Sequence, residues 1–365
     1  LQGKRMTVES AQAATQTTSL LWDVGTAYEL FVSLHVLHEP ERYDLRPSWA
    51  AKIRSRIPIA ERTFLEEVQP FLSFPLGWIY HLPQPKNAIT VLYALQQIPA
   101  AIRSITLLDL HAGIRPEAER LLQLAERRHW TKDDLSFLVP LMCKDAVDQS
   151  EQALFKYLNW WVRPEDFGSM LYSALQAYYQ AFFEQEERRV GPVLVAGLEQ
   201  AKELAGRLSP RDLLAELSKG VRFTEDLGKE LILVPNYWMT PLVHLDALGP
   251  DQKLFLFGAR PATMSAIPGE LVPDGLLIAL KALADPTRLR ILRYLVEQEL
   301  TPSELARRLN LRAPTVTHHL KELRLAGLIN LTLRGQEKLY RARLGALDSI
   351  HTDLKGFLKG NGPRQ

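Results

Sequence analysis

"TPSELARRLNLRAPTVTHHLKELRLAGLI" (301–329) contains two helix starts and a helix stop, and the fold of the C-terminal quarter follows from them. Thr301 with Glu304 three residues later is a capping box, and Pro302 stands at the first helical position, where its missing N–H is not needed. The helix opened there reaches about Leu309, "NLRA" turns the chain, and Pro314 begins a second helix. That helix ends near Gly327, whose lack of a Cβ suits the left-handed position after a helix. Two short helices joined by a tight turn make a helix-turn-helix. Upstream, Asp285-Pro286 reads as another cap, leading into "TRLRILRYLVEQ". Downstream, "LINLTLRGQEKLYRARL" alternates apolar and polar residues around "RGQE", the pattern of a β-hairpin. A last helix, 344–358, lines up Leu344, Leu347, Ile350, Leu354 and Phe357 on one stripe that must be buried somewhere.

The adjacent His318 and His319 test what the second helix is for. On a helical wheel Val316, Leu320 and Leu323 form the inward stripe, and His319 lies on or beside it. Thr315, Thr317, His318, Lys321 and Arg324 fall on the other face. Neighbouring helical residues point apart, which argues against a metal ion shared by the two imidazoles, for which i, i+3 or i, i+4 spacing is expected. No cysteine or acidic cluster nearby would complete such a site. Short hydroxyls, an imidazole and cations at the start of a helix are what reading base edges and phosphates requires. Thr315, Thr317, His318 and Lys321 are therefore the candidate base-reading residues, and Arg312, Arg324, Arg334 and Lys338 the candidate backbone contacts. A solvated face on an ordinary helical core is the alternative reading of the same charges.

The charge is divided in the same sense. The chain of 365 residues has a net charge of +2, but from Leu276 onward 16 Lys and Arg face 8 Asp and Glu, a net of +8, leaving −6 for the rest. The asymmetry suggests one module that faces a polyanion and another that does not, although basic tails are common. A composition of 46% hydrophobic and 24% charged residues is that of a globular protein with real cores. Neither a membrane-length apolar run nor a signal peptide is found. The lone Cys143 excludes an internal disulfide and fits a reducing cytoplasm.

"LKALADPTRLRILRYL", the 301–329 stretch and the "LRGQEKLYR" wing together resemble the ArsR family of winged-helix bacterial repressors over 276–359. The resemblance implies a DNA-binding homodimer, with the helix around 276–284 and the C-terminal helix at the interface. Each subunit would place one recognition helix in successive major-groove turns about 34–36 Å apart. The family's metal sensors use Cys pairs in the helix corresponding to 301–310, or His/Asp pairs in the last helix. "ELARRLN" has no Cys, and the last helix offers only Asp348, His351 and Asp353 without repeated ligand spacing, so no metal is expected.

Ahead of this module the chain reads as mainly α with small β elements. Helical patterns cover 20–40, then 48–57 and 60–72 in blocks cut by Pro58 and Pro70, then 88–110, 116–128, 131–148 and 150–162, and a long stretch to about 208 with Gly191-Pro192 as its expected break. "KELILVPNYWMTPLVHL" and "QKLFLFGARP" read as strands of a small sheet near 230–258. "ELFVSLHVLHEPERYDLRPSWAAKIRSRI" resembles, more loosely, an uncharacterised helical module found ahead of such winged helices. The division expected is a flexible start (1–18), a helical effector or regulatory domain (19–260), a linker or packed loop (261–275), the winged helix (276–359) and a tail (360–365).

Catalytic signatures are missing: no Gly-rich phosphate loop, no G-x-S-x-G, no HExxH and no paired CxxC. His35 and His38, with Glu39 and Glu41 close by, read either as a metal pair or as a helix end with imidazoles at the negative dipole terminus. Trp78, Tyr80, Tyr237 and Trp238 lie among Pro and Gly and are candidates to line a small-molecule pocket, whereas Trp22 and Phe182 read as core. The expectation is a cytoplasmic, homodimeric regulator binding double-stranded DNA, with no cofactor, whose large domain answers to a small molecule or partner. The rival is an enzyme or protein-interaction module that uses its winged helix for dimerisation or docking.

Overall fold

The computed structural model describes residues 18–108, 110, 113–143, 151–334 and 337–359. Nearly all of the expected flexible start, the tail, the end of the 131–148 helix and the hairpin tip at 335–336 fall outside the described residues.

The chain opens with β1 (Ser19–Trp22) and α1 (Thr26–His38), then α2 (Pro47–Arg54), α3 (Ile59–Val68), α4 (Leu76–Tyr80) and α5 (Ala88–Gln97). There follow α6 (Ala100–Thr106), α7 (Pro116–Arg127), α8 (Lys132–Met142), α9 (Glu151–Trp161), α10 (Pro164–Tyr178), α11 (Glu184–Ala205) and α12 (Pro210–Leu217). Prolines punctuate these helices in the first turn of α2, α7, α10 and α12, where no intrahelical N–H is lost.

Three expectations need correction. The 20–40 block is not helical throughout, because its first residues form β1, which pairs parallel with β3 (Glu230–Asn236) from Ser19↔Glu230 to Trp22↔Leu233. A short apolar run is equally a buried parallel strand, and periodicity alone does not separate the two. The 88–110 block divides at Pro99 into α5 and α6. Gly191-Pro192 does not break its helix: α11 runs through it, and the irregularity lies upstream as a π-turn over Tyr179–Phe183. An interior proline costs a helix about 3 kcal/mol. Burial of Val190, Leu194, Leu198 and Ala201 along the same helix outweighs that cost.

Between α12 and the C-terminal module come β2 (Val221–Phe223), β3, β4 (His244–Ala247) and β5 (Gln252–Gly258). The expected small sheet is present, with strand order β1-β3-β5-β4; β1, β3 and β5 are parallel and β4 antiparallel to β5. It is covered on both faces. Ile232, Val234, Leu254 and Leu256 enter the large helical core, while Leu231, Leu233, Phe255 and Phe257 pack against Ala201, Leu213 and Leu214.

Buried polar groups gather at the carboxyl ends of these strands. After β1, Asp23 pairs with Lys86 and accepts a bond from the Tyr28 hydroxyl at 2.6 Å. Burial, and then the charge of Asp23, push the Tyr28 phenol well above its ordinary pKa. After β3, Glu29 accepts the amides of Tyr237 and Trp238. Arg189 reaches Glu186 (2.6 Å), the Tyr237 hydroxyl (2.6 Å) and the Ala266 carbonyl (3.0 Å). Asp274 accepts from the Ser265 hydroxyl (2.9 Å) and the Ala266 amide (2.6 Å). The segment 260–274 is thereby held against the large domain right up to α13 (Asp274–Leu283).

The C-terminal module continues with α14 (Pro286–Glu297), α15 (Pro302–Leu309), α16 (Ala313–Leu325), β6 (Ile329–Arg334), β7 (Glu337–Ala342) and α17 (Gly345–Leu358). Its caps are those read from the sequence. Asp285 accepts the Arg288 amide at 2.8 Å, and Thr301 and Glu304 bond each other's amides reciprocally. Its core joins Ile291, Leu295, Leu305, Leu309, Val316, Leu320, Leu323, Leu331 and Tyr340. β6 and β7 form an antiparallel hairpin, and Leu300 bridges to Tyr340 on the far side of β7. Helices α15 and α16 with this β-wing make a winged helix-turn-helix.

Candidate nucleic-acid interface

α16 owes its position to its neighbours. Asn310 turns left-handed after α15, and the Leu311 amide returns to the Ala306 carbonyl at 3.0 Å, so the next helix starts close to the end of the first. Val316, Leu320 and Leu323 are fully buried, which fixes the rotation of α16. Arg312, Thr315, Thr317, His318 and Lys321 are left exposed together. The Thr317 hydroxyl donates to the Ala313 carbonyl at 3.0 Å, and the side chain stays exposed. Arg334 and Lys338 are exposed near the end of the hairpin. Among the described residues, no ion pair neutralises Arg312, Lys321, Arg334 or Lys338. Arg324 differs: it is half-buried beside Tyr340.

His319 lies apart from His318, as the wheel requires. It is half-buried, its Nδ1 is 4.0 Å from Asp285 Oδ1, and that nitrogen has no hydrogen bond. Burial lowers its pKa, although the Asp285 charge pulls the other way. A folded-state pKa below the unfolded value means that folding favours the neutral ring. The resulting stability is complete above about pH 6.5 and is lost as pH falls below it. Thermal unfolding followed between about pH 7.5 and 5.5 should show this loss, and a His319→Gln variant should show a flatter profile. An unchanged profile would remove His319 from the account.

The remaining candidates divide. His38 Nδ1 bonds the Leu34 carbonyl at 2.8 Å while its buried Nε2 has no hydrogen bond, and His35 bonds Gln69 at 2.9 Å and approaches Glu39 at 3.6 Å. Among the described residues, no group of three or more His, Cys, Asp or Glu could hold a metal ion. Tyr237 and Trp238 are fully buried: the Tyr237 hydroxyl bonds the Ser265 carbonyl at 2.7 Å, and Trp238 stacks on Trp49 at 5.5 Å. Trp78 and Tyr80 stay half-buried, with the Lys86 ammonium 4.8 Å above the Tyr80 ring. Two clefts are described, one walled by Phe71, Leu108, Arg115 and Met142 and the other by Pro192, Gly197, Ala259 and Pro261, and neither is lined by any of these four aromatics. The aromatic pair at 237–238 is thus spent on the core.

A helix-turn-helix domain family matches residues 283–332. Over 82 residues the chain is 35% identical to the transcriptional repressor SdpR of Bacillus subtilis, a match spanning 22% of this chain and 91% of that protein. The chain belongs to the ArsR family. It is a transcriptional regulator with a helix-turn-helix domain. Among other ArsR-type relatives, the nodulation protein NolR of Rhizobium meliloti is 34% identical over 101 residues, 25% of this chain and 82% of NolR. The solved structure of HlyU from Vibrio cholerae is 32% identical over 22% of this chain and 87% of that one, with a TM-score of 0.19. In this ArsR-family chain the alignments quoted leave about three quarters of the residues without a counterpart.

Proposed function

We propose that the protein is a homodimeric, cytoplasmic repressor that binds double-stranded DNA, and that its large domain modulates the affinity in response to a small molecule or partner. The observation that carries this reading is the outer face of α16, where exposed hydroxyls, an imidazole and unneutralised cations stand beside a basic wing. Thr315, Thr317, His318 and Lys321 read bases, while Arg312, Arg334 and Lys338 hold the backbone. Arg324 reaches a phosphate only from the edge of the buried face.

The dimer is supported by apolar surface left uncovered on one chain. Leu277 and Leu280 of α13, Leu347 and Phe357 of α17 and Leu344 just ahead of α17 are all exposed, and the two helices pack side by side. A second copy related by a two-fold axis covers the same patch on both chains. The large domain then acts through the different affinities of an effector for two arrangements of the dimer. Trp78 and Tyr80, whose rings keep some exposure, are the aromatics such an effector can reach.

Selection from a randomised duplex pool with the full-length protein tests this reading. Two inverted half-sites about one helical turn apart are expected, with binding that weakens steeply as salt rises. Enrichment of no sequence, together with salt-independent retention, would leave the winged helix a docking module.

A further inference from the structure

The outer edge of the wing is not free. β6 pairs with β7 on one side, and its other edge is occupied by β2, a strand that belongs to the large domain more than a hundred residues earlier in the chain. Pairing is parallel and in register: Val221↔Leu331, Arg222↔Thr332 and Phe223↔Leu333. The Leu331 amide donates to the Gly220 carbonyl at 3.0 Å, and the Thr224 hydroxyl donates to the Leu333 carbonyl.

β2 is fastened equally firmly on its own side. The Ser218 hydroxyl accepts the Val221 amide at 3.0 Å, and Arg211 donates to the carbonyls of Phe223 and Glu225. The Phe223 ring meets Phe255 of β5 edge-on at 5.7 Å, so this strand's side chain sits on the large domain's sheet while its main chain is bonded to the wing. The close approach depends on Gly220. Its φ is +103°, and a Cβ there would lie 2.1 Å from Asn330 Oδ1.

We infer that β2 is a positioning element for DNA binding: by completing the wing as a three-stranded sheet, the large domain holds Arg334 and Lys338 where the backbone contact needs them. This rests on the proposed DNA contact by the wing. Adding a strand to an open edge gives directional main-chain bonding without new side-chain specificity. A displacement of α12 or β5 is therefore passed to the wing rather than absorbed in a flexible linker, and the recognition helix keeps its own packing throughout.

Two variants of the full-length protein test the inference, using a duplex selected on the wild type. Gly220→Val should dislodge β2 while the winged-helix core stays folded. Amide exchange at Leu331 and Leu333 should quicken about tenfold or more, with that of α16 unchanged. Affinity should fall for selected and scrambled duplexes alike, and the salt slope should flatten by about one unit for each phosphate the wing no longer holds. A Cys143→Ser, Arg222→Cys, Thr332→Cys protein locks the same strand pair on oxidation, and its oxidised and reduced forms should bind equally. The inference fails if Gly220→Val frees the two amides yet leaves affinity and salt slope at wild-type values. It fails also if Gly220→Val leaves their exchange unchanged, or if the oxidised cross-link abolishes binding, since the wing would then have to leave β2 to reach DNA. Should the wild type itself select no duplex, it is the DNA-binding reading that falls, and the exchange data alone then decide whether β2 holds the wing.

Discussion

A Thr317→Ala, His318→Ala double variant is expected to bind its selected duplex hardly better than a scrambled one. Each base-edge contact of this kind discriminates by about 1–3 kcal/mol, so two together account for a preference on the order of a hundredfold or more. Thr317 and His318 are both exposed, so both substitutions fall on recognition. The fold is spared because the stripe that rotates α16 into place, Val316, Leu320 and Leu323, is untouched and alanine is a good helix former. Arg334→Ala and Lys338→Ala provide the contrast: lower affinity for both duplexes, with their ratio retained. The measured quantity is that ratio of dissociation constants at fixed salt. A double variant that kept the wild-type ratio would place base reading on another surface.

Lys86→Met should destabilise the large domain by about 3–5 kcal/mol, the usual cost of removing one partner of a buried ion pair. Lys86 and Asp23 are both more than nine-tenths buried, and the ammonium also donates to the Tyr80 carbonyl at 2.5 Å. Without it the Asp23 carboxylate keeps the Tyr28 hydroxyl and the Val24 amide but no cation. Denaturant unfolding is the measurement, and the double change Asp23→Asn, Lys86→Met should cost less than the two single changes summed. Full additivity would mean that the pair does not act as one. DNA binding by the folded fraction should be unaffected, because the partners of both residues, Val24, Tyr28, Tyr80 and Gln84, lie in the large domain.

What could be read from the residues followed the locality of the signal. Asp285, Thr301 and Glu304 act on amides three residues away, and each cap is where the sequence placed it. The rotation of α16 was equally legible, because Val316, Leu320 and Leu323 sit at one helical spacing. β1 and β2 were not legible. A strand of three or four residues has no period to detect, and its identity is conferred by partners far along the chain, Leu231 for Leu20 and Leu331 for Val221. Pro192 misled for a related reason, since the packing that carries α11 through it is tertiary. Arg324 looked like an outward residue on the wheel, and the proximity of Tyr340 from the hairpin draws it partly inward.

The strand on the wing's outer edge also bears on how the module can be dissected and exchanged. A free-standing regulator of this family must protect that edge by itself, with charge, twist or brevity, because open strand edges invite pairing with other chains. Here the neighbouring domain covers it through the Gly220 carbonyl and the Thr224 hydroxyl. Cutting the chain ahead of α13 would therefore expose the Leu331 amide and the Leu333 carbonyl, and the released fragment would be prone to self-association. Grafting a different winged helix onto this large domain would leave β2 without a register to match. The two halves therefore exchange only together, because one of them supplies a strand to the other's sheet.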